Sequence, residues 1–239
     1  MVNIALENLM VIDIETVSEY KSFDQMDESW QYLWSEKISK SLNDQLTLEA
    51  SYSGKAAIFA EFGKIICISI GFFVLENEHY SFRVKSIDGH DEKVLLSEFT
   101  DILSKWIAKK KQLCFCGHNI KEFDIPYISR RMIINGLDLP DYLDFQNKKP
   151  WDVVMIDTLQ LWKFGDYKNY ISLKLMAQVL KIESPKDDID GSMVGKVYWE
   201  ENDLERIAVY CQKDVITVAQ IILRFKKMPL LQQSNIIIV

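Results

Sequence analysis

No apolar run in the sequence is long enough to cross a bilayer, so no membrane-spanning helix is expected. Nine glycines and five prolines in 239 residues are too few for a fibrous or disordered chain. A Walker-type or dinucleotide-type glycine-rich loop is missing, which argues against a nucleotide-driven motor, a dehydrogenase or any nucleotide cofactor. The start, Met1 to Glu7, lacks the basic residues and long apolar stretch of a secretory signal, and a cytoplasmic location is expected. Four cysteines (Cys67, Cys114, Cys116, Cys211) lie scattered in apolar segments, the pattern of reduced core thiols rather than of a disulfide framework. Cys114 and Cys116 share a strand face, but only three histidines (His79, His90, His118) are available to complete a zinc site with them, so the core reading is preferred.

The net charge of -7 speaks against a protein that coats nucleic acid indiscriminately, because such binding rests on Lys and Arg neutralising phosphates. Phosphate contacts must then be local. Lys109–Lys111, Arg130–Arg131, Lys148–Lys149, Lys163 and Lys168 are candidates, each with an ordinary solvated surface charge as the plainer reading.

With 48% apolar residues the chain can bury one large core, and one domain over 1–239 with a helical insertion at about 17–62 is expected. Asn8 to Ile14 is apolar on both alternating faces, which predicts a central strand. Lys64 to Leu75 and His79 to Lys85 form a hairpin across a short polar link, and a further strand is read over Gln112 to Cys116. Helical spacing covers Asp91 to Lys109, about Ile125 to Asn135, Thr158 to Phe164, Ser172 to Leu180 and Asp203 to Phe225, with Asp203 as an N-cap. Residues 17–62 are read as helices covering one edge, and Asn235 to Val239 as an added strand or a contact surface. The sum is an α/β fold, a mixed central sheet of about five strands flanked by helices.

Three acidic signals stand on this frame. Leu9, Val11, Asp13 and Glu15 share one face of the first strand, which turns acidic at its carboxyl end, where α/β sheets build their sites. Asp124 precedes Pro126 at a helix start, where a cap is the plainer role, and His118 reads as a hydrogen-bonded structural residue. On the last helix Tyr210 and Asp214 lie four apart and project from one face. Asp187, Asp188 and Asp190 before Gly191 suggest part of a calcium loop, but Lys186 and Val197 occupy positions that need acids, so this stretch is read as a turn.

The order of these signals, with Asp13 and Glu15 in Val11-Ile12-Asp13-Ile14-Glu15-Thr16, Asp124 in Asn119-x-x-x-Phe123-Asp124 and Tyr210-x-x-x-Asp214, resembles the DEDD exonucleases of the ribonuclease H-like fold. It is most similar to the proofreading exonuclease domain of family B DNA polymerases and its stand-alone bacterial relatives. The subgroup is the tyrosine-bearing one, since the alternative histidine position holds Val209.

The resemblance implies a 3′-to-5′ exonuclease that releases nucleoside 5′-monophosphates from a single-stranded 3′ end, with DNA favoured over RNA. It implies two divalent cations, Mg²⁺ or Mn²⁺, held by Asp13, Glu15 and Asp214, with Asp124 acting mainly through water and Tyr210 orienting the attacking water. Cations roughly 3.5–4 Å apart would stabilise both the entering and the leaving oxygen. Asn119 and Phe123, with Ile14 and Thr16, would shape the pocket for the terminal nucleotide. An RNA-trimming enzyme and a non-catalytic binding module on the same fold remain the alternatives.

Overall fold

A computed structural model describes residues 4–41, 46–109, 112–149, 151–166, 168, 170–183 and 188–239. β1 (Leu9–Ser18) runs through its middle, buried on both faces as its unbroken apolar start requires. Leu9 and Val11 pack towards the long C-terminal helix, while Met10, Ile12 and Ile14 join the core beneath two other helices. The strand reaches Ser18, four residues beyond its expected end, and so carries both Asp13 and Glu15 within regular pairing.

Two helices follow, α1 (Glu28–Ile38) and α2 (Leu48–Lys55), capped by the side chains of Asp27 and Thr47. Trp34, Tyr52 and Phe62 build a small core of their own here. This segment does not cover a sheet edge as expected. It joins two adjacent strands in the middle of the sheet and closes over their ends, with the Glu19 N–H donating to the Phe62 carbonyl at 2.8 Å. The residues from 17 to Ser18 belong to β1.

β2 (Gly63–Glu76) and β3 (His79–Asp88) form the expected hairpin, both longer than the sequence pattern indicated. Asn77 and Glu78 adopt φ of 49° and 65°, the left-handed values that a two-residue hairpin turn demands. There follow α3 (Glu92–Lys109), β4 (Cys114–Gly117), α4 (Asp124–Ile134), β5 (Met155–Asp157), α5 (Thr158–Lys163), α6 (Leu173–Val179), α7 (Val194–Lys196) running into a π-turn at Val197–Glu201, α8 (Leu204–Phe225) and β6 (Ile236–Ile238). Asp203 caps α8 by accepting from the Arg206 N–H at 3.1 Å.

Among the described residues the sheet has six strands in the order β5-β4-β1-β2-β3-β6, one more than expected. β1–β2 and β2–β3 are antiparallel; β1–β4, β4–β5 and β3–β6 are parallel. The additional strand, β5, is three residues long, too short to show a period. β6 settles the choice left for the tail in favour of a strand on β3. α8 covers one face through Val215, Val218 and Ala219, and a side chain at Gly71 would collide with Val215, so glycine there lets helix and sheet approach. α3 and α4 cover the other face.

Arg131 departs from both readings given to it, a local phosphate contact and a solvated surface charge. It is buried, paired with Glu92 at 2.5 Å, and donates to the Ala60 carbonyl at 3.0 Å and to Glu19 at 2.9 Å. Glu92 also accepts the Ile65 N–H at 2.7 Å and the Asn135 amide at 2.7 Å, so the pair ties α3, α4 and the start of β2 together. Lys110 and Lys111 lie outside the described residues, as do Lys186 and Asp187 of the rejected calcium loop. In the remainder of that loop Asp190 accepts from the Ser192 N–H at 2.9 Å and Asp188 pairs with Arg206 at 2.7 Å, the contacts of a turn.

Candidate active site

β1 outruns its parallel neighbour. β4 pairs only with Leu9–Val11 and ends at Gly117, so beyond that point the β4 side of β1 is open to other partners. The first turn of α4 fills the gap: Asp124 Oδ1 accepts the Ile14 N–H at 3.1 Å. Asp124 is therefore not the helix cap expected of it; the N-cap position belongs to Phe123, without a side-chain bond, and the Asp124 carboxylate turns onto the strand.

On the other face of β1, Asp13 and Glu15 continue the row of Leu9 and Val11 towards α8. Opposite them on β2 are Ser69 and Cys67, and a bulge follows directly between Glu15 and Thr16. Cys211 on α8 donates its thiol proton to Asp13, with Sγ 3.2 Å from Oδ2 and 3.4 Å from the main-chain oxygen. One oxygen each of Asp13 and Glu15 and the Cys211 sulfur lie within 4.8 Å of one another. Asp214, one turn further along α8, is half-buried, and Tyr210 packs its ring against the apolar cluster around Val17 and Cys67.

The electrostatics show these carboxylates to be one group. Burial pushes Asp13 well above the usual carboxylate range, and Asp214, Glu15 and Asp124 push it further, with the Cys211 hydrogen bond opposing. Glu15, 8% exposed, is raised by burial, then by Asp214, Cys67 and Asp124. Asp124, 3% exposed, is pushed up to about 7 by burial, with Asp157 and Asp214 adding and its backbone hydrogen bonds opposing. Four acids from three distant stretches of chain thus feel one another's charge, the environment in which cations are held. Oxygen donors of this kind suit hard divalent ions.

Asp157, which the sequence reading passed over, organises the approach to Asp124. Buried at the end of β5, it accepts from the Asn119 N–H (3.0 Å), the Lys121 N–H (3.1 Å) and the Leu159 N–H (3.0 Å). It caps α5 and pins the loop that leads into α4. An acid directly before a predicted helix was the available signal. Asn119 in that loop adopts φ of 66°, which asparagine tolerates, and its buried Oδ1 has no hydrogen-bond partner among the described residues. Phe123 is half-buried, its ring 5.3 Å from that of Tyr127.

Thr16 donates to the Ala57 carbonyl at 2.8 Å, an acceptor shared with the Tyr127 hydroxyl at 2.9 Å, and the Ile14 side chain is buried in the core. His118 is structural, bonded through Nδ1 to Thr158 Oγ1 and through Nε2 to the Ile171 carbonyl, both at 2.9 Å, with burial lowering its pKa. Cys114 and Cys116 are buried in the apolar core between α8 and the sheet.

No curated protein matches the chain by sequence. Among solved structures, the family B DNA polymerase from the hyperthermophilic archaeon Pyrobaculum calidifontis matches with a TM-score of 0.49 and 16% identity, over 90% of this chain and 24% of that one. The chain therefore spans about a quarter of that polymerase. A family described as a predicted 3′-5′ exonuclease related to the exonuclease domain of PolB matches residues 56–233, a stretch that contains Asp124, Tyr210 and Asp214 and begins after Asp13 and Glu15. By this match across most of its length, the chain belongs to the family of predicted 3′-5′ exonucleases related to the PolB exonuclease domain.

Proposed function

We propose that the protein removes nucleotides one at a time from the 3′ end of single-stranded nucleic acid, DNA in preference to RNA, releasing nucleoside 5′-monophosphates. The observation that carries this reading is the convergence of acids at the open end of β1, where carboxylate oxygens of Asp13 and Glu15 lie within 4.8 Å of each other and Asp124 is held on the Ile14 N–H between them. An acidic cluster alone repels a phosphodiester. Divalent cations, Mg²⁺ or Mn²⁺, would reverse that sign when bound, ease ionisation of a water and stabilise charge on the leaving 3′-oxygen.

In this reading Asp13, Glu15 and Asp214 hold the cations directly. Asp124, fixed on the Ile14 N–H, contributes through water. The Tyr210 hydroxyl orients the attacking water from α8. Asn119 brings a buried oxygen without a hydrogen-bond partner among the described residues, an acceptor whose isolation costs about 1–3 kcal/mol and which a nucleotide or water would satisfy. The Phe123 ring offers a stacking face, and the chain at Ile14 and Thr16 lines the same end of β1. We take the chain as one domain with α1 and α2 inserted between β1 and β2. Four free, buried thiols suit a reducing compartment such as the cytoplasm.

The test is incubation of the parent protein and Asp13→Ala with Mn²⁺ and 5′-labelled single-stranded DNA and RNA. A ladder shortening from the far end in the parent alone is the expected result, faster on DNA. Equal ladders from both proteins would overturn the reading, and cleavage of RNA alone would reverse the substrate preference.

A further inference from the structure

We propose that the open edge of β5 is a docking site for an extended, acidic and apolar peptide segment of a partner protein, which adds to the sheet as a further strand. The inference is independent of the exonuclease reading.

β5 ends the sheet, and among the described residues no strand pairs with it on the side away from β4. Backbone N–H and C=O groups along such an edge are a template for another chain. A cavity lies on each side of it. On the α4 side a cleft of about 740 Å³ is walled by Ile125, Ile133, Leu139, Leu143 and Val153. On the α8 side a smaller pocket of about 190 Å³ is walled by Ile156, Leu161 and Ile222. Met155 borders both, so the strand itself is the partition between them. Ile133 is 56% exposed, and Val154, directly before β5, is 60% exposed, which gives the edge an apolar rim.

Strand addition makes use of both cavities at once. Successive side chains of an added strand point to opposite faces, so two neighbouring residues of the peptide enter different cavities. The cleft takes a large one such as phenylalanine or leucine, and the pocket a small one such as valine or alanine.

Charge around the cavities selects the occupant. Lys121 borders both, Arg130 the cleft and Lys226 the pocket. The acids in the lining are already engaged. Glu122 accepts from the Gln160 amide at 3.0 Å and stands 4.0 Å from the Lys163 ammonium, and the Asp157 carboxylate is taken up by backbone N–H groups. A second copy of this chain would set these cations against their own kind across a two-fold interface. Single-stranded nucleic acid draws on aromatic platforms for its bases, and the cleft is aliphatic apart from Phe145. An acidic peptide with adjacent apolar residues satisfies the strand edge, the cavities and the cations together.

The test is selection of random heptapeptides displayed on phage against the immobilised parent protein, followed by fluorescence-anisotropy titration of the leading sequence in synthetic, labelled form. The expected result is enrichment of a large apolar residue beside a small one, flanked by aspartate and glutamate. Binding of that peptide should weaken about tenfold or more with Ile133→Asp and with Arg130→Glu. Both positions are exposed, so folding is preserved, and circular dichroism checks it. N-methylation of alternate peptide residues should abolish binding in one register and spare it in the other, a signature of ladder pairing that needs no protein variant.

Absence of enrichment, or a leading peptide indifferent to both variants or to N-methylation, would overturn the proposal. So would sedimentation showing a dimer of the parent that Ile133→Asp dissociates, which gives the edge to a second copy. Loss of oligonucleotide binding in both variants would also overturn it, and gives the cleft to nucleic acid.

Discussion

Asp124 Oδ1 and the Ile14 N–H, 3.1 Å apart, index the first turn of α4 to the residue between Asp13 and Glu15. The bond exists because β4 stops at Gly117 while β1 continues, so a carboxylate takes the place of a strand carbonyl. A buried acid held this way is fixed in rotamer and height, and its separation from Asp13 and Glu15 follows from the strand rather than from a loop.

The loop feeding Asp124 into that position depends on Asp157, both of whose oxygens are occupied by backbone N–H groups. An amide can accept on one side only, so Asp157→Asn turns an NH₂ group towards a donor. With the oxygen kept on the Leu159 and Gln160 N–H groups the cap survives, and the cost of leaving the Lys121 N–H without its acceptor, about 1–3 kcal/mol, should appear in urea unfolding. Cleavage should fall roughly 10–100-fold, as for other groups that orient a site without entering it. Unchanged cleavage with unchanged stability would show the loop to be held without Asp157.

The strands and helices whose periods are long were legible: the hairpin β2–β3, the long α8, and β1 with its acids. Asp13 and Glu15 could be placed together because alternation along a strand is a fixed geometry. What escaped were relationships made by tertiary contact. β5 has only Met155–Asp157 to show, and the roles of Asp157 and Cys211 arise from the loop and strand they meet, not from their neighbours in sequence. Arg131 looked like half of a surface pair with Arg130; only its meeting with Glu92 from α3 shows that it is buried. Asp124 looked like a cap because local rules make it one, and the open edge of β1 won it instead.

Metal and pH should act on stability through the same carboxylates. Asp124 rises from 3.8 to about 7, and Asp13 and Glu15 move in the same direction. Between those values the folded protein binds more protons than the unfolded chain, so stability is greatest at the acid end of this window and falls as pH rises through it. In chelator, the melting temperature contribution of the site should therefore decline from about pH 5 to about pH 8. Millimolar Mg²⁺ or Mn²⁺ should raise the melting temperature, more at the upper pH, and Asp13→Ala should remove much of that rise. Calorimetry with no metal dependence in the parent would count against the cluster as a cation site.

The Arg131–Glu92 pair offers a stability prediction independent of catalysis. Arg131→Met alone leaves the Glu92 carboxylate buried with fewer partners and should cost about 3–5 kcal/mol in denaturant unfolding. Adding Glu92→Gln should recover part of that loss, because both charges are then gone while the Ile65 N–H keeps an acceptor. The double variant, once folded, should bind single-stranded nucleic acid as the parent does. A selective loss of binding would return Arg131 to the role of a phosphate contact.

Tyr210 lies one turn before Asp214 on α8, and residues four apart share a helix face. Its ring packs in the cluster around Val17 and Cys67, so Tyr210→Phe preserves that packing and removes a single oxygen. If the hydroxyl orients the attacking water, the change should slow cleavage about a hundredfold or more while the apparent Mg²⁺ or Mn²⁺ affinity and the melting temperature stay close to those of the parent. Single-turnover rates at saturating metal, set beside a metal titration of the same variant, separate the two effects. A large loss of metal affinity with little change in the saturated rate would make the oxygen a support for the cations instead, because orientation of water is expressed in the rate once the metals are bound.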